Sequence, residues 1–228
     1  MKLKIFLSIF IVAFISCKNS TEKTAEKAPK KNTALKKFSI LEKIANAHGY
    51  QNWKNINSLE YTFNVDRDTN HYERSWKWWP KKDQVKMMST EDTMTYTRNN
   101  ITDIEVKTDK GFINDKYWLL FPFQLIWDEG FSHSVQQNIP APISKKELTE
   151  ISINYNDQKG YTPGDTYKIY VNENYIIQEW AFFPKGQETA ALISTWEDYV
   201  TKKGLKIAKM HKNENGTFQL YFSNLTIE

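Results

Sequence analysis

Cysteine is almost absent from this chain. Cys17 is the only one among 228 residues, so no intrachain disulfide can form. Histidine is scarce too, with 4 copies. His71 and Glu73 would share one face of a strand, but two candidates without a third do not make a metal site. His133 and His211 have no obvious acid or nucleophile partner. The chain contains no G-x-S-x-G elbow, no H-E-x-x-H helix, no Gly-rich phosphate loop and no C-x-x-C pair. Asp128-Glu129 reads as a solvated loop pair and not as a glycosidase dyad. No enzymatic activity, metal or cofactor is therefore expected. Charge of one sign is lacking as well: 31 basic and 27 acidic residues leave a net +4. The two signs are interspersed, without the clustered basic footprint of a nucleic-acid binder, so no nucleic-acid partner is expected.

What is present begins with an address. Lys2 and Lys4 precede an apolar run from Ile5 to Ile15 of about 11 residues, where a spanning helix needs roughly 20. Residues 1–16 thus read as a secretory signal. Phe14-Ile15-Ser16-Cys17 resembles a bacterial lipobox, with Ser16 before the cleavage point and Cys17 as the lipidated residue. Phe14 departs from the usual Leu. Acyl chains on Cys17 would hold the protein on a membrane, each buried methylene contributing about 0.8 kcal/mol. Lys18 and Asn19 follow the cysteine instead of an inner-membrane retention Asp, and no acidic cluster follows either. That pattern is similar to the outer-membrane default, facing the periplasm. Residues 17–37 form a lysine-rich tether without an aromatic ring, too polar to fold alone. Fully extended, it reaches roughly 66 Å.

Residues 38–228 carry the folded domain. Aromatics make up 14% of the chain, which favours strands. Ser39 to His48 reads as a helix with a Ser39/Glu42 capping box and a Gly49 stop. His48 reads as a helix-end residue that engages the last carbonyls. Leu59–Asp66 alternates, with Leu59, Tyr61, Phe63 and Val65 on one face. Tyr72–Trp79 does likewise, with Trp76 and Trp78 on one face. Gln84–Thr90 and Thr93–Arg98 make the next hairpin. Ile104–Thr108 suggests a weaker strand ending in an Asp109-Lys110-Gly111 turn. A loop through Pro140 and Pro142 separates these from a second run: Leu148–Tyr155, Tyr167–Val171, Tyr175–Phe183, Thr189–Tyr199, Leu205–Lys212 and Thr217–Ile227. Ser223–Leu225 is a possible break in the last. Pro163-Gly164 predicts a type II turn, with Asp165 bonding local backbone. About ten strands at this spacing give a mainly β (α+β) fold. The expected architecture is a curved antiparallel sheet or half-barrel covered by a few helices.

The covering element is Asn114 to Asp128, NDKYWLLFPFQLIWD. Pro122 disfavours an uninterrupted helix by roughly 3 kcal/mol and pushes Phe121 towards extended geometry. A short helix or turn before Pro122 and an apolar segment after it are predicted. Trp118, Phe121, Phe123, Leu125 and Trp127 would plug or line an apolar cavity, with Tyr61, Phe63, Trp76 and Trp78 opposite. If Trp76 and Trp78 were instead exposed in a flat row, they would suit a carbohydrate-binding lipoprotein.

The lipobox, the first helix, the run of strands, the block Tyr117-Trp118-Leu119-Leu120-Phe121-Pro122-Phe123 and the loop Tyr161-Thr162-Pro163-Gly164-Asp165-Thr166-Tyr167 together resemble an uncharacterised family of Gram-negative outer-membrane lipoproteins. That family is in turn similar to the LolA/LolB-like superfamily of lipoprotein-sorting and lipid-binding proteins. The resemblance spans Ser39 to Ile227. It implies a LolA-like curved sheet over helices, a cavity for a lipid or acyl-chain ligand, and a monomer. A soluble carrier has no anchor, so an acylated relative would act as a receptor or a local binding protein.

The Cys17 reading is tested by metabolic labelling with a palmitate analogue in a Gram-negative host. Label is expected on the wild-type protein and lost in Cys17→Ser. Label retained in that variant would contradict it.

Overall fold

Alternating side chains build the architecture. In the computed structural model, which describes residues 37–157 and 162–228, Lys37–Glu228 forms a unit of its own. Residues 1–16, Cys17, nearly all of the tether and Tyr161 lie outside the described residues. The described residues carry twelve strands in two antiparallel sheets, and the sheets do not close into a barrel. Mainly β character is thus the fold class, with two more strands than the roughly ten expected.

The chain opens with helix α1 (Ile40–Ala47), whose Ser39/Glu42 capping box is formed. Strands β1 (Leu59–Arg67), β2 (Asn70–Trp79), β3 (Gln84–Met88) and β4 (Thr93–Thr97) follow as a meander. Helix α2 (Asp103–Trp127) comes next. Then come β5 (Phe131–Pro140), β6 (Glu147–Tyr155), β7 (Thr166–Val171), β8 (Ile177–Phe183) and β9 (Leu192–Thr195). Strands β10 (Glu197–Lys202), β11 (Leu205–Lys212) and β12 (Phe218–Ile227) return to the first sheet. The larger sheet runs β10-β11-β12-β1-β2-β3-β4 and the smaller β5-β6-β7-β8-β9.

Four expectations are corrected. Ile104–Thr108 is not a strand and Asp109-Lys110-Gly111 is not a turn; both belong to α2. The start of that helix is fixed by a capping box between Thr102 and Glu105, which satisfies otherwise orphaned N–H groups. Gly111 sits inside the helix because the Arg74 guanidinium packs on its backbone, 2.6 Å from where a Cβ would stand. The segment after Pro122 stays helical, and the distortion falls at Leu120 (φ −121°, ψ 23°) and not at Phe121. Pro122 has no N–H to donate, and the strain of its ring is absorbed two residues earlier. The expected loop before Pro140 is β5, an exposed edge strand with Asn138 at φ 56° next to its register shift. Bulges and prolines suit sheet edges. Thr189–Tyr199 is two strands, split where buried Trp196 lets the chain pass from one sheet to the other.

Other readings hold. Asp165 N–H donates to Thr162 O at 3.1 Å across Pro163-Gly164, with Gly164 at φ 83°, as a type II turn requires. The Asp165 carboxylate, however, accepts from the backbone N–H of Lys185 and so ties two loops together. Asn224 (φ 52°) makes the irregularity expected in β12, opposite a register shift in β1.

One core joins both sheets through α2. Phe112 meets Trp76 and Trp78 edge-on, both at 5.5 Å, on the larger sheet. Phe121 and Trp118 meet Trp180 of the smaller sheet at 5.3 and 4.3 Å. Such aromatic pairs add about 0.5–1.5 kcal/mol beyond the area they bury. Polar anchors fix the orientation. Fully buried Asp115 accepts from Arg74 Nε at 2.6 Å, Arg74 Nη2 at 2.7 Å and Trp76 Nε1 at 2.7 Å. Removing one member of such a pair costs about 3–5 kcal/mol, because its partner stays buried. Asp109 accepts from Arg98 Nε at 2.7 Å and from the Tyr96 hydroxyl at 3.1 Å.

Two histidines are buried in the same core. His48 hydrogen-bonds Ile44 O through Nδ1 at 2.8 Å, as expected of a helix-end residue, and lies against Tyr199. His211 packs among Trp118, Trp196 and Phe222. Burial lowers their pKa values to about 4 and about 3. The unfolded chain, titrating near 6.5, binds more protons over that interval, so stability rises with pH there. Unfolding free energy is therefore expected to drop as pH falls below 6.5, by up to about 1.4 kcal/mol per pH unit for each histidine. In urea titrations from pH 7 to pH 4, His211→Phe should show the shallower dependence. Equal slopes for wild type and variant would contradict the neutral buried state.

Candidate functional site

Four rows of side chains leave a hollow between the sheets. Along β1, Phe63, Val65 and Arg67 point to one side, as alternate residues must. Phe218 and Leu220 do so on β12, and Trp180 and Phe182 on β8. Along α2, Lys110, Ile113, Asn114, Tyr117 and Trp118 form one stripe at helical spacing. These rows, with Thr162, Tyr167 and Leu192, enclose a cavity of about 810 Å³. That lies within the roughly 300–1,000 Å³ of small-molecule sites. Its deep wall is aromatic: Tyr117, Trp118, Tyr167 and Trp180 are all buried. Arg67, Lys110 and Asn114 are exposed and mark its mouth. The lining includes two cations and no acid.

The aromatic floor is braced by hydroxyl bonds. The Tyr117 and Tyr155 hydroxyls lie 3.2 Å apart, and Tyr155 donates to Asp128 at 2.6 Å. Asp128 is therefore half-buried and engaged, a correction to its reading as a solvated loop residue. Burial raises its carboxyl pKa, with the Tyr155 hydrogen bond acting the other way. Burial also pushes the Tyr167 hydroxyl up to about 12. The phenols are neutral at physiological pH, and the wall carries no charge.

The residues proposed from sequence divide into three groups. Phe63 and Trp118 line the cavity. Tyr61, Trp76, Phe121, Phe123 and Leu125 are packed inside the core. Trp78 and Trp127 border a second, smaller cavity of about 290 Å³, with Trp53, Pro80, Lys116, Gln124 and Asp128. Trp76 is wholly buried, and its Nε1 is held by Asp115, so Trp76 and Trp78 form no exposed row. Sequence reasoning missed most of the true lining. The stripe from Lys110 to Trp118 was legible as helical spacing only once the helix was known to begin at Asp103. Phe218, Leu220, Trp180 and Phe182 alternate in their own strands, but nothing local says that these strands face one another.

His71 Nδ1 donates to the Asp66 carboxylate at 2.6 Å, and its other nitrogen lies 3.5 Å from Glu73. No group of three or more metal-ligating side chains stands together among the described residues. No helix among them is long and apolar enough to cross a membrane.

No family model matches the chain, and no curated protein sequence matches it. Among solved structures, the chain is similar to a LolA superfamily protein from Nitrosomonas europaea, at 11% identity and a TM-score of 0.47. That match covers 83% of this chain and 92% of the other. It is also similar to a DUF1329 family protein from Desulfovibrio piger, at 7% identity and a TM-score of 0.45, over 84% and 94% of the two chains.

The second cavity offers a prediction of its own. Lys116 is buried there, its Nζ 5.7 Å from the centres of both the Trp78 and Trp127 rings. Burial lowers its pKa to about 8, from an ordinary 10.5. NMR titration of the reductively methylated protein should show one lysine signal shifting near pH 8 and vanishing in Lys116→Met. All lysines titrating near 10.5 would contradict this burial.

Proposed function

We propose that this chain is a membrane-anchored lipoprotein of the cell envelope whose domain binds a lipid, an acyl chain or another apolar ligand. The observation that carries the reading is the aromatic hollow itself. A cavity of about 810 Å³ walled by Trp118, Trp180, Tyr117 and Tyr167 forfeits dispersion contacts when empty. It regains them when an apolar body enters, at roughly 25 cal/mol for each Å² withdrawn from water. The Tyr117 and Tyr155 hydroxyls beneath it are engaged in the Tyr117–Tyr155–Asp128 chain. The wall presents mainly ring faces and methyl groups, and the buried Trp180 Nε1 is an unpaired donor among them. In this reading the chain is a binding protein and not an enzyme.

Acylation of Cys17 would supply the anchor, and the residues after it would let the domain stand off the bilayer. The site of action in this reading is the outer membrane on its periplasmic side. The protein works there as a monomer, without a nucleic-acid partner.

Two measurements test the reading. Native mass spectrometry of purified protein is expected to show an added mass that is lost on organic extraction. A fluorescent fatty-acyl probe should then bind the extracted protein. Leu220→Trp, which places an indole in the hollow, should weaken the probe about tenfold or more while the circular dichroism spectrum is kept. Repeated recovery of ligand-free protein that binds no acyl probe would contradict the reading.

A further inference from the structure

The rows that wall the cavity end in positive charge. On β1 the sequence along the cavity face is Phe63, Val65, Arg67, so the apolar row stops at a guanidinium where the strand leaves the hollow. On α2 the stripe read outwards is Trp118, Tyr117, Ile113, Lys110, and it stops at an ammonium. Both residues are exposed. The Arg67 guanidinium lies 5.6 Å above the ring of Phe218, itself a wall residue. Its stem therefore lies along the apolar surface while its head stays in water, as long cationic side chains do at such boundaries. Neither Arg67 nor Lys110 has an ion-pair partner among the described residues.

Asp68, next to Arg67, is exposed and does not line the cavity, and four other acids of the region are directed elsewhere. Asp66, on the opposite face of β1, pairs with His71. Asp109, beside Lys110, is held by Arg98 and Tyr96. Asp157 pairs with Lys185, and the Asp165 carboxylate accepts from Lys185 N–H. The mouth is therefore positive, while the floor is uncharged.

We infer that the cavity selects an amphiphile with an anionic head, a carboxylate or a phosphate, which Arg67 and Lys110 hold at the mouth while the tail occupies the aromatic hollow. The inference rests on the proposed apolar-ligand reading and goes further, because a neutral lipid would fill the hollow equally well and leave both cations unused. The guanidinium offers a planar fork of donors suited to either head, and the ammonium a point charge beside it.

The test uses delipidated full-length protein and three probes of matched chain length below their micelle-forming concentrations: palmitic acid, hexadecanol and palmitoyl lysophosphatidic acid. At low salt, one or both anionic probes are expected to bind roughly tenfold tighter than the alcohol, a margin that narrows in high salt. Arg67→Gln combined with Lys110→Gln should abolish the preference, weakening the anionic probes by roughly tenfold more than hexadecanol. Both positions are exposed, so the fold should be kept, which circular dichroism checks. Whichever anionic probe binds tighter separates a carboxylate from a phosphate head. Inorganic phosphate alone is expected to displace neither, since it has no tail; displacement by it would overturn the amphiphile assignment in favour of a free-anion site. Equal binding of acid and alcohol by the wild type would overturn the head-group inference and leave the apolar-ligand reading standing. A preference surviving in the double variant would overturn the role given to Arg67 and Lys110. Failure of all three probes would overturn the apolar-ligand reading itself.

Discussion

A single helix serves as core for two sheets, and everything else in the domain depends on how that helix is held. Neither sheet closes on itself, so each leaves an apolar face in need of cover. Helix α2 covers both. Its Phe112 sits on Trp76 and Trp78 of the larger sheet, and its Trp118 and Phe121 sit on Trp180 of the smaller. Without α2, rings on both sheets would face water, and burial of such rings is the main favourable term available to a fold of this kind.

The way α2 is anchored explains why a hollow persists in so aromatic an interior. Asp109 and Asp115 bind Arg98, Tyr96, Arg74 and Trp76, all on or beside β2 and β4. These contacts draw one side of the helix's first half against that end of the larger sheet. The adjacent stripe, from Lys110 to Trp118, is left facing β1, β12 and β8 across open space. Buried charges held by several hydrogen bonds cannot slide to close such a gap without losing partners, which is costly at low dielectric. Bulky rings cannot collapse into it without leaving their rotamers. The cavity thus follows from the same residues that hold the helix in place.

Much of the fold could be read from the sequence, because alternation in strands such as Leu59–Asp66 leaves a clear trace and the Ser39/Glu42 and Pro163-Gly164 signals are local. The long helix could not be read so well. Gly111 and Pro122 both speak against helix, and what overrides them is tertiary: the Arg74 guanidinium resting on Gly111, and rings on both sides of Leu120 paying for the kink. A local sign of its start, Thr102 with Glu105, was nevertheless there. Strand β5 was illegible because an exposed edge strand has no buried face to imprint an apolar pattern. The aromatic block was recognisable as the covering element, but not the division of its residues. Phe63 and Trp118 reach the hollow, whereas Tyr61, Trp76, Phe121, Phe123 and Leu125 fill the core and Trp78 and Trp127 border the smaller cavity. Which ring fills space and which borders it depends on where α2 leans, and that is set by carboxylates far from the block.

Diffraction from crystals pressurised with xenon addresses the hollow most directly, since the gas enters apolar cavities and not hydrated ones. Xenon density is expected between α2, β1 and β8, in contact with Phe63, Trp118, Trp180 and Leu220. A space filled by a chain of ordered waters, or closed by the side chains around it, would contradict the account.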